Sequence, residues 1–124
     1  MTAIFLLVIM ASLGAAMLTF SSVQQTTGTL DLQGARAYQA ARAGAELGLY
    51  KILRPGVASC GSTTLTLPGA MAALSNNVDC SASAIYTEGS TTVTVYTITA
   101  TAKSEGAPGS ANYVERRLTV SVSK

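Results

Sequence analysis

The first thirty residues carry no formal charge, and this feature limits the possible folds more than any other. The first charged residue is Asp31, and the stretch from Met1 to Phe20 is almost wholly apolar. An apolar helix of about 20 residues is long enough to cross a bilayer. Residues 1–23 are therefore predicted to form a membrane helix, a signal peptide or a deeply buried helix.

The apolar stretch has no basic flank at its beginning. A signal peptide starts with a basic segment, and basic residues beside a membrane helix set its orientation. Removal of a short basic leader explains both absences. We then expect Met1 to be the first residue of a processed chain and not the initiator.

Small residues cluster in the middle of this stretch, at Ala11, Ser12, Gly14 and Ala15. Ala11 and Ala15 are four residues apart, which places them on one face of a helix. Small side chains on one face allow another helix to approach closely. Ordinary membrane-helix composition explains the cluster equally well.

A helical pattern extends well beyond the apolar stretch. The polar segment from Ser21 to Gly28 has low helix propensity, but apolar residues then recur at helical spacing until Pro55-Gly56 ends the pattern. We expect one long helix over residues 1–54, with 24–54 as its amphipathic half. At 1.5 Å per residue it would be about 80 Å long, so part of it must contact membrane, partner subunits or both. The face expected to pack inward holds Tyr38, Ala41, Ala45, Leu49 and Ile52.

Residues 55–124 are predicted to form a β domain. Its two cysteines, Cys60 and Cys80, follow a membrane segment, which favours an oxidising compartment and a disulfide that closes the loop 60–80. Such a loop closure stabilises a fold by about 3 kcal/mol. Two free buried thiols are the alternative.

Strand patterns fill the second half of this domain. Alternating residues predict a hairpin that either has a bulge near Tyr96 or contains a strand covered on both faces. In the last strand, the alternation places Arg116 on the inward face, either near its rim or at a register shift. The predicted class is α+β, a long helix packed against a small antiparallel sheet. The predicted elements are strands over 64–67, 85–87, 91–103 and 113–122, one or two helical turns over 70–74, and a turn at Asn76-Asn77.

Composition argues against an enzyme. Charged residues make up 11% of the chain, against about a quarter in typical globular domains, and there is no histidine. The sequence shows no carboxylate pair, nucleophile with base, metal cluster or phosphate loop. The net charge of +2 is scattered along the chain, which does not favour a nucleic-acid partner. We expect no catalytic residue, no cofactor and no metal.

Four stretches cover most of the chain: TAIFLLVIMASLGAAML, ARAYQAARAGAELGLYKIL, LTLPGAMAAL and YVERRLTVSVSK. Together with the order of the features above, they resemble type IV pilins and pseudopilins after leader cleavage. They are most similar to the minor pilin-like proteins of mannose-sensitive haemagglutinin pilus biogenesis. The resemblance implies a cleaved and methylated Met1, processing by prepilin peptidase, and single-pass storage in the bacterial inner membrane. It further implies export by a pilus assembly platform into an extracellular filament, through contacts between N-terminal helices of pilin subunits.

Two positions depart from the pattern of major pilins. Phe5 stands where those proteins have a glutamate, and Ser22 stands where they often have a proline. Phe5 cannot neutralise a neighbour's terminal ammonium group, and burial of that charge unpaired is costly. We therefore expect a minor subunit that is tip-proximal or initiating. The alternative is a membrane-anchored periplasmic binding or assembly module that never enters a filament.

Overall fold

A long N-terminal helix packs against a four-stranded antiparallel sheet in the computed structural model, which describes residues 2–54 and 59–124. The predicted α+β class is therefore confirmed. The helix α1 spans Thr2–Leu53, and the predicted stop at Pro55-Gly56 lies outside the described residues. The strands are β1 (Thr63–Leu65), β2 (Ser75–Glu88), β3 (Thr91–Lys103) and β4 (Glu115–Ser123), with a short 3₁₀ turn at Gly69–Met71.

The chain separates into two compact units, Met1–Leu32 and Gln33–Lys124. In the first unit the polar segment from Ser21 to Gly28 is helical throughout, although its propensity is low. The hydroxyls of Ser22, Thr26 and Thr27 donate to carbonyls three or four residues earlier in the helix. These bonds satisfy the side chains without breaking the backbone ladder.

In the second unit the strands are arranged in the order in which they occur along the chain, β1-β2-β3-β4. The predicted turn at Asn76-Asn77 is wrong, because both residues lie in β2 and pair with β1 and β3. The amide of Asn76 donates to the carbonyl of Ala40 in the helix at 2.5 Å. This tertiary bond outweighs the turn preference of asparagine.

The predicted irregularity near Tyr96 is present, but it lies on the partner strand. The register of β2 against β3 shifts between Ala82 and Ile85, and Ala82 is the partner of Tyr96. Arg116 pairs with Ala102 without a register shift, is exposed, and reaches over Gly34. It therefore occupies the predicted rim of the inward face.

The core lies between the sheet and the part of α1 that belongs to the second unit. Ile52 and Ile98 are its largest fully buried side chains. The predicted inward position of Tyr38 is wrong, since its side chain is 46% exposed. The contact face of the helix consists almost entirely of glycine and alanine, and these small residues allow the helix to lie close to the sheet. The buried helix residues are Gly34, Ala37, Ala40, Ala41, Gly44, Ala45, Gly48 and Ile52.

A disulfide between Cys60 and Cys80 confirms the predicted covalent loop, with the two Cα atoms 5.1 Å apart. The loop holds β1 and the 3₁₀ turn. Leu67, Met71 and Leu74 pack from this loop against the core residues Ala40, Ala41 and Ala102. The disulfide therefore secures a segment whose own regular structure is short.

Candidate functional site

The apolar part of the first unit is the candidate functional site. Every large apolar side chain from Ile4 to Val23 is exposed, with exposed fractions between 38% and 75%. An exposed apolar surface of this extent marks a site for membrane or protein contact. The set consists of Ile4, Phe5, Leu6, Leu7, Val8, Ile9, Met10, Leu13, Met17, Leu18, Phe20 and Val23.

The helix meets the length and composition required to cross a bilayer, and it alone does so among the described residues. Core helices of soluble proteins meet the same criteria, but they are mostly buried. None of the most apolar part of this helix is buried within the chain. The predicted alternative of a deeply buried helix is therefore wrong for the single chain.

Most hydroxyl groups of this segment donate to carbonyls of the helix itself. Ser12 donates to the carbonyl of Ile9 at 2.8 Å, and Thr19 donates to that of Ala16 at 2.7 Å. A hydroxyl without a partner is costly to move out of water. Bonds to the helix backbone reduce this cost in lipid or among packed helices. The same pattern continues through Ser22, Thr26, Thr27 and Thr29.

The small residues Ala11, Ser12, Gly14 and Ala15 all lie in the helix and are all exposed. A Cβ built on Gly14 has no heavy atom within 4 Å apart from its local neighbours. The surface at this point is open to a partner helix. A packing role for the four residues stays a prediction.

The beginning of the helix has no acidic residue in its first turn. Phe5 lies there with 67% of its side chain exposed. Met1, the predicted site of processing and methylation, lies outside the described residues. Residues 2–30 are uncharged, so this segment holds no carboxylate that can neutralise an ammonium group.

Ionisable groups of the second unit are mostly at its surface. Arg42 and Glu46 form an exposed ion pair at 3.1 Å. Tyr113 donates a short hydrogen bond to the carboxylate of Glu115, which raises the pKa of the tyrosine, with smaller contributions from partial burial and from the negative charge. No group of three or more metal-ligating side chains occurs in residues 2–54 and 59–124.

Comparisons of the chain with protein-family models, curated proteins and solved structures find no match.

Proposed function

We propose that the chain is a structural minor pilin or pseudopilin of a type IV pilus of the mannose-sensitive haemagglutinin kind. It assembles through its N-terminal helix. One observation carries the proposal: an uncharged helical segment exposes every large apolar side chain from Ile4 to Val23, in a chain whose second compact unit is closed by a disulfide. The resemblance to pilins supplies the type of filament.

The apolar segment has two environments in this proposal. Before assembly it lies in the inner membrane, where lipid covers its apolar side chains. After assembly the helices of other pilin subunits replace the lipid. Internal hydrogen bonds of its hydroxyls fit both environments, because neither supplies water. Prepilin peptidase and the pilus assembly platform are the partners at the membrane.

A membrane anchor alone accounts for less of the helix. About 20 residues suffice to cross a bilayer, whereas α1 has 52 residues. The remaining residues form a polar segment after the apolar stretch, and then the glycine- and alanine-rich face that packs on the sheet. An anchored binding or assembly module is nevertheless the competing function, and cell fractionation separates the two.

Phe5 supports a minor position in the filament. A shaft subunit must accept the terminal ammonium group of a neighbour in an apolar core, where an unpaired charge is costly. A subunit at the tip or at initiation has no such neighbour to neutralise. We therefore place this chain in a tip-proximal or initiating position.

The first experiment is to shear cells that express a C-terminally tagged chain and to compare the filament and membrane fractions. Recovery with the filaments, together with a mature N-terminus carrying one added methyl group by mass spectrometry, supports the proposal. An integral inner-membrane protein probed in both fractions controls for contamination. Exclusive retention in the membrane fraction, with filaments present, contradicts it and favours the anchored module.

The second experiment locates the chain along the filament by immunogold labelling. Label at one end is expected, and Phe5→Glu is expected to keep assembly intact or to move label into the shaft. Phe20→Glu is the matched control, since it adds the same charge elsewhere on the helix. An even distribution of the unmodified chain along the shaft would exclude the tip-proximal role.

A further inference from the structure

The two edges of the sheet differ in how well they are protected. At one edge β1 is only three residues long, and the part of β2 beyond it contains the register shift between Ala82 and Ile85. Short strands and bulges hinder the pairing of a sheet edge with another chain. At the other edge β4 has nine residues, pairs with β3 in one continuous register and contains no proline. Its charged residues are confined to its first three positions, so the rest of this edge lacks the usual protection.

The ladder between β3 and β4 shows which peptide groups face outward. Thr94 and Lys124 donate their backbone N–H groups to each other's carbonyls at 2.8 Å and 3.0 Å. Hydrogen-bonded pairs alternate along an antiparallel ladder, so every second residue back from Lys124 is bonded to β3. The peptide groups between them point away from the sheet. They include those of four exposed residues: Arg117, Thr119, Ser121 and Ser123.

This outer edge is open in two respects. Among the residues that the structure describes, none forms a hydrogen bond to the four outward peptide groups. On the helix side of β4, Leu118, Val120 and Val122 pack against core residues but are only half-buried. A further strand beside β4 would bond to the free peptide groups and cover the open side of this apolar row.

The beginning of β4 adds a charge to the same surface. Arg116 alternates with the apolar row on the helix side and forms no ion pair with any residue that the structure describes. The one acid of the strand, Glu115, accepts hydrogen bonds from Tyr113 and Arg117. Charge complementarity fixes the register of a partner, so a binding segment is expected to carry a carboxylate at this end.

We propose that β4 binds an extended segment of another protein, which adds a fifth strand antiparallel to β4. Every neighbouring pair in the sheet is already antiparallel. The segment has β-branched apolar side chains at alternate positions, against Leu118, Val120 and Val122, and a carboxylate opposite Arg116. In such strand addition the main-chain hydrogen bonds supply affinity and the alternate side chains supply specificity.

A second copy of the chain does not match this surface. Antiparallel pairing of two β4 strands over their full length places each Glu115 at the far end from the other copy's Arg116, so neither arginine gains a carboxylate. The free part of β2 has its own acid at Glu88, but it contains the register shift and offers no regular strand of this length. The occupant is therefore a different protein.

The test uses a synthetic peptide with blocked ends, in which threonine and valine alternate three times and are followed by threonine and glutamate. In antiparallel register its valines lie opposite Leu118, Val120 and Val122, and its glutamate lies opposite Arg116. The peptide is titrated into the purified full chain in detergent micelles and followed by amide chemical shifts. Saturable binding with a Kd below about 1 mM and slower amide exchange at Ser121 support the proposal. No saturation up to about 1 mM, or shifts confined to residues outside β4, overturns it.

Two methylated peptides separate strand addition from other modes of binding. In the antiparallel register the N–H groups of the peptide's threonines face β4, whereas those of its valines face solvent. N-methylation of the threonines removes several hydrogen bonds and is expected to weaken binding at least about tenfold. N-methylation of the valines is the matched control and is expected to change the Kd by less than about threefold. Equal binding of the two peptides overturns the proposal.

Variants of the protein test the same contacts from the other side. Ser121→Pro removes an outward N–H group but no bond to β3, as proline is tolerated at the solvent side of an edge strand. It is expected to weaken peptide binding about tenfold, whereas Ser121→Ala keeps the N–H group and is expected to bind normally. Amide protection in β3 checks that the ladder persists. Full binding by Ser121→Pro with an intact ladder overturns the proposal.

The charge is tested separately. Arg116→Gln is expected to weaken peptide binding about two- to fivefold, the range for an exposed ion pair. Arg42→Gln is the matched control, because Arg42 pairs with Glu46 on the helix. Slower exchange of the β4 amides at rising protein concentration, without any peptide, would show that a second copy occupies the edge and would overturn the assignment of the partner. These results do not depend on whether the chain enters a filament.

Discussion

Gly48 of α1 lies directly against Ile98 of β3, so closely that a Cβ built on the glycine stands 2.5 Å from Ile98 Cγ2. The same Cβ would lie 3.3 Å from Val78. Ile98 is fully buried, so its side chain can give way only by disturbing the packing of the core. The helix can therefore reach the sheet at this point only because position 48 has no side chain.

Gly48→Ala is expected to destabilise the second unit by about 1–3 kcal/mol, the usual cost of overpacking a core. Chemical denaturation of the full chain in micelles, followed by circular dichroism, measures this change. Gly28→Ala is the matched control, because a Cβ at that helical glycine has no heavy atom within 4 Å apart from its local neighbours. It is expected to leave stability unchanged or to raise it, as alanine is the better helix former. An equal loss in both variants contradicts the close-packing explanation.

A second prediction concerns Asn76, the buried polar residue of the core. Its amide donates to the carbonyl of Ala40 and thereby joins the sheet to the helix backbone. Asn76→Ala removes the bond and leaves a space, so we expect a loss of about 1–3 kcal/mol in the free energy of unfolding. Asn77→Ala, one residue further on the opposite face, is expected to cost less because its partners are exposed. A smaller effect at position 76 than at position 77 would contradict this.

The same contacts show which parts of the fold are predictable from the sequence. Charge-free length and helical spacing predict α1, and alternation of β-branched residues predicts β3, because each signal is repeated many times along its element. The sequence predictions for Tyr38 and Asn76 are wrong for one physical reason. Their environment depends on how closely the helix approaches the sheet, and neither apolar spacing nor turn propensity records that distance. Gly34, Gly44 and Gly48 lie on one face of the helix, and they are the sequence signal for its close approach to the sheet.

The end of α1 illustrates the same limit. The side chain of Lys124, the last residue, donates to the carbonyl of Ile52 at 2.9 Å, where a helix leaves carbonyls without partners. The two residues are 72 positions apart in the sequence, so no pattern of neighbouring residues predicts this contact.

A third prediction follows from the hydrogen bond between Tyr113 and Glu115. The neutral phenol donates to the carboxylate, so ionisation of Tyr113 breaks the bond, and the pKa of the tyrosine is raised. In the unfolded chain Tyr113 loses its proton first, near its ordinary pKa of about 10. The stabilisation is therefore complete below that pH and is lost as the pH rises through the higher pKa of the folded state.

Glu115→Gln is expected to lower the pKa of Tyr113, since it removes the negative charge and weakens the acceptor. An NMR titration that follows the ring carbon bonded to the hydroxyl measures it directly. Glu88→Gln, at the end of β2, is the control and is expected to leave Tyr113 unchanged. A pKa unaffected by the change at position 115 would show that the hydrogen bond does not control the titration.

The last prediction concerns the disulfide and how strongly its loss affects different parts of the second unit. Cys60 and Cys80 are 20 residues apart, and loss of the bond is expected to cost about 3 kcal/mol. The loss should be local: amide exchange should accelerate in β1 and the 3₁₀ turn more than in β3 and β4, whose long ladder does not depend on the loop. Cys60→Ser with Cys80→Ser, compared with the oxidised chain, measures both effects. Uniform acceleration across all four strands would show instead that the loop and the sheet unfold as one unit.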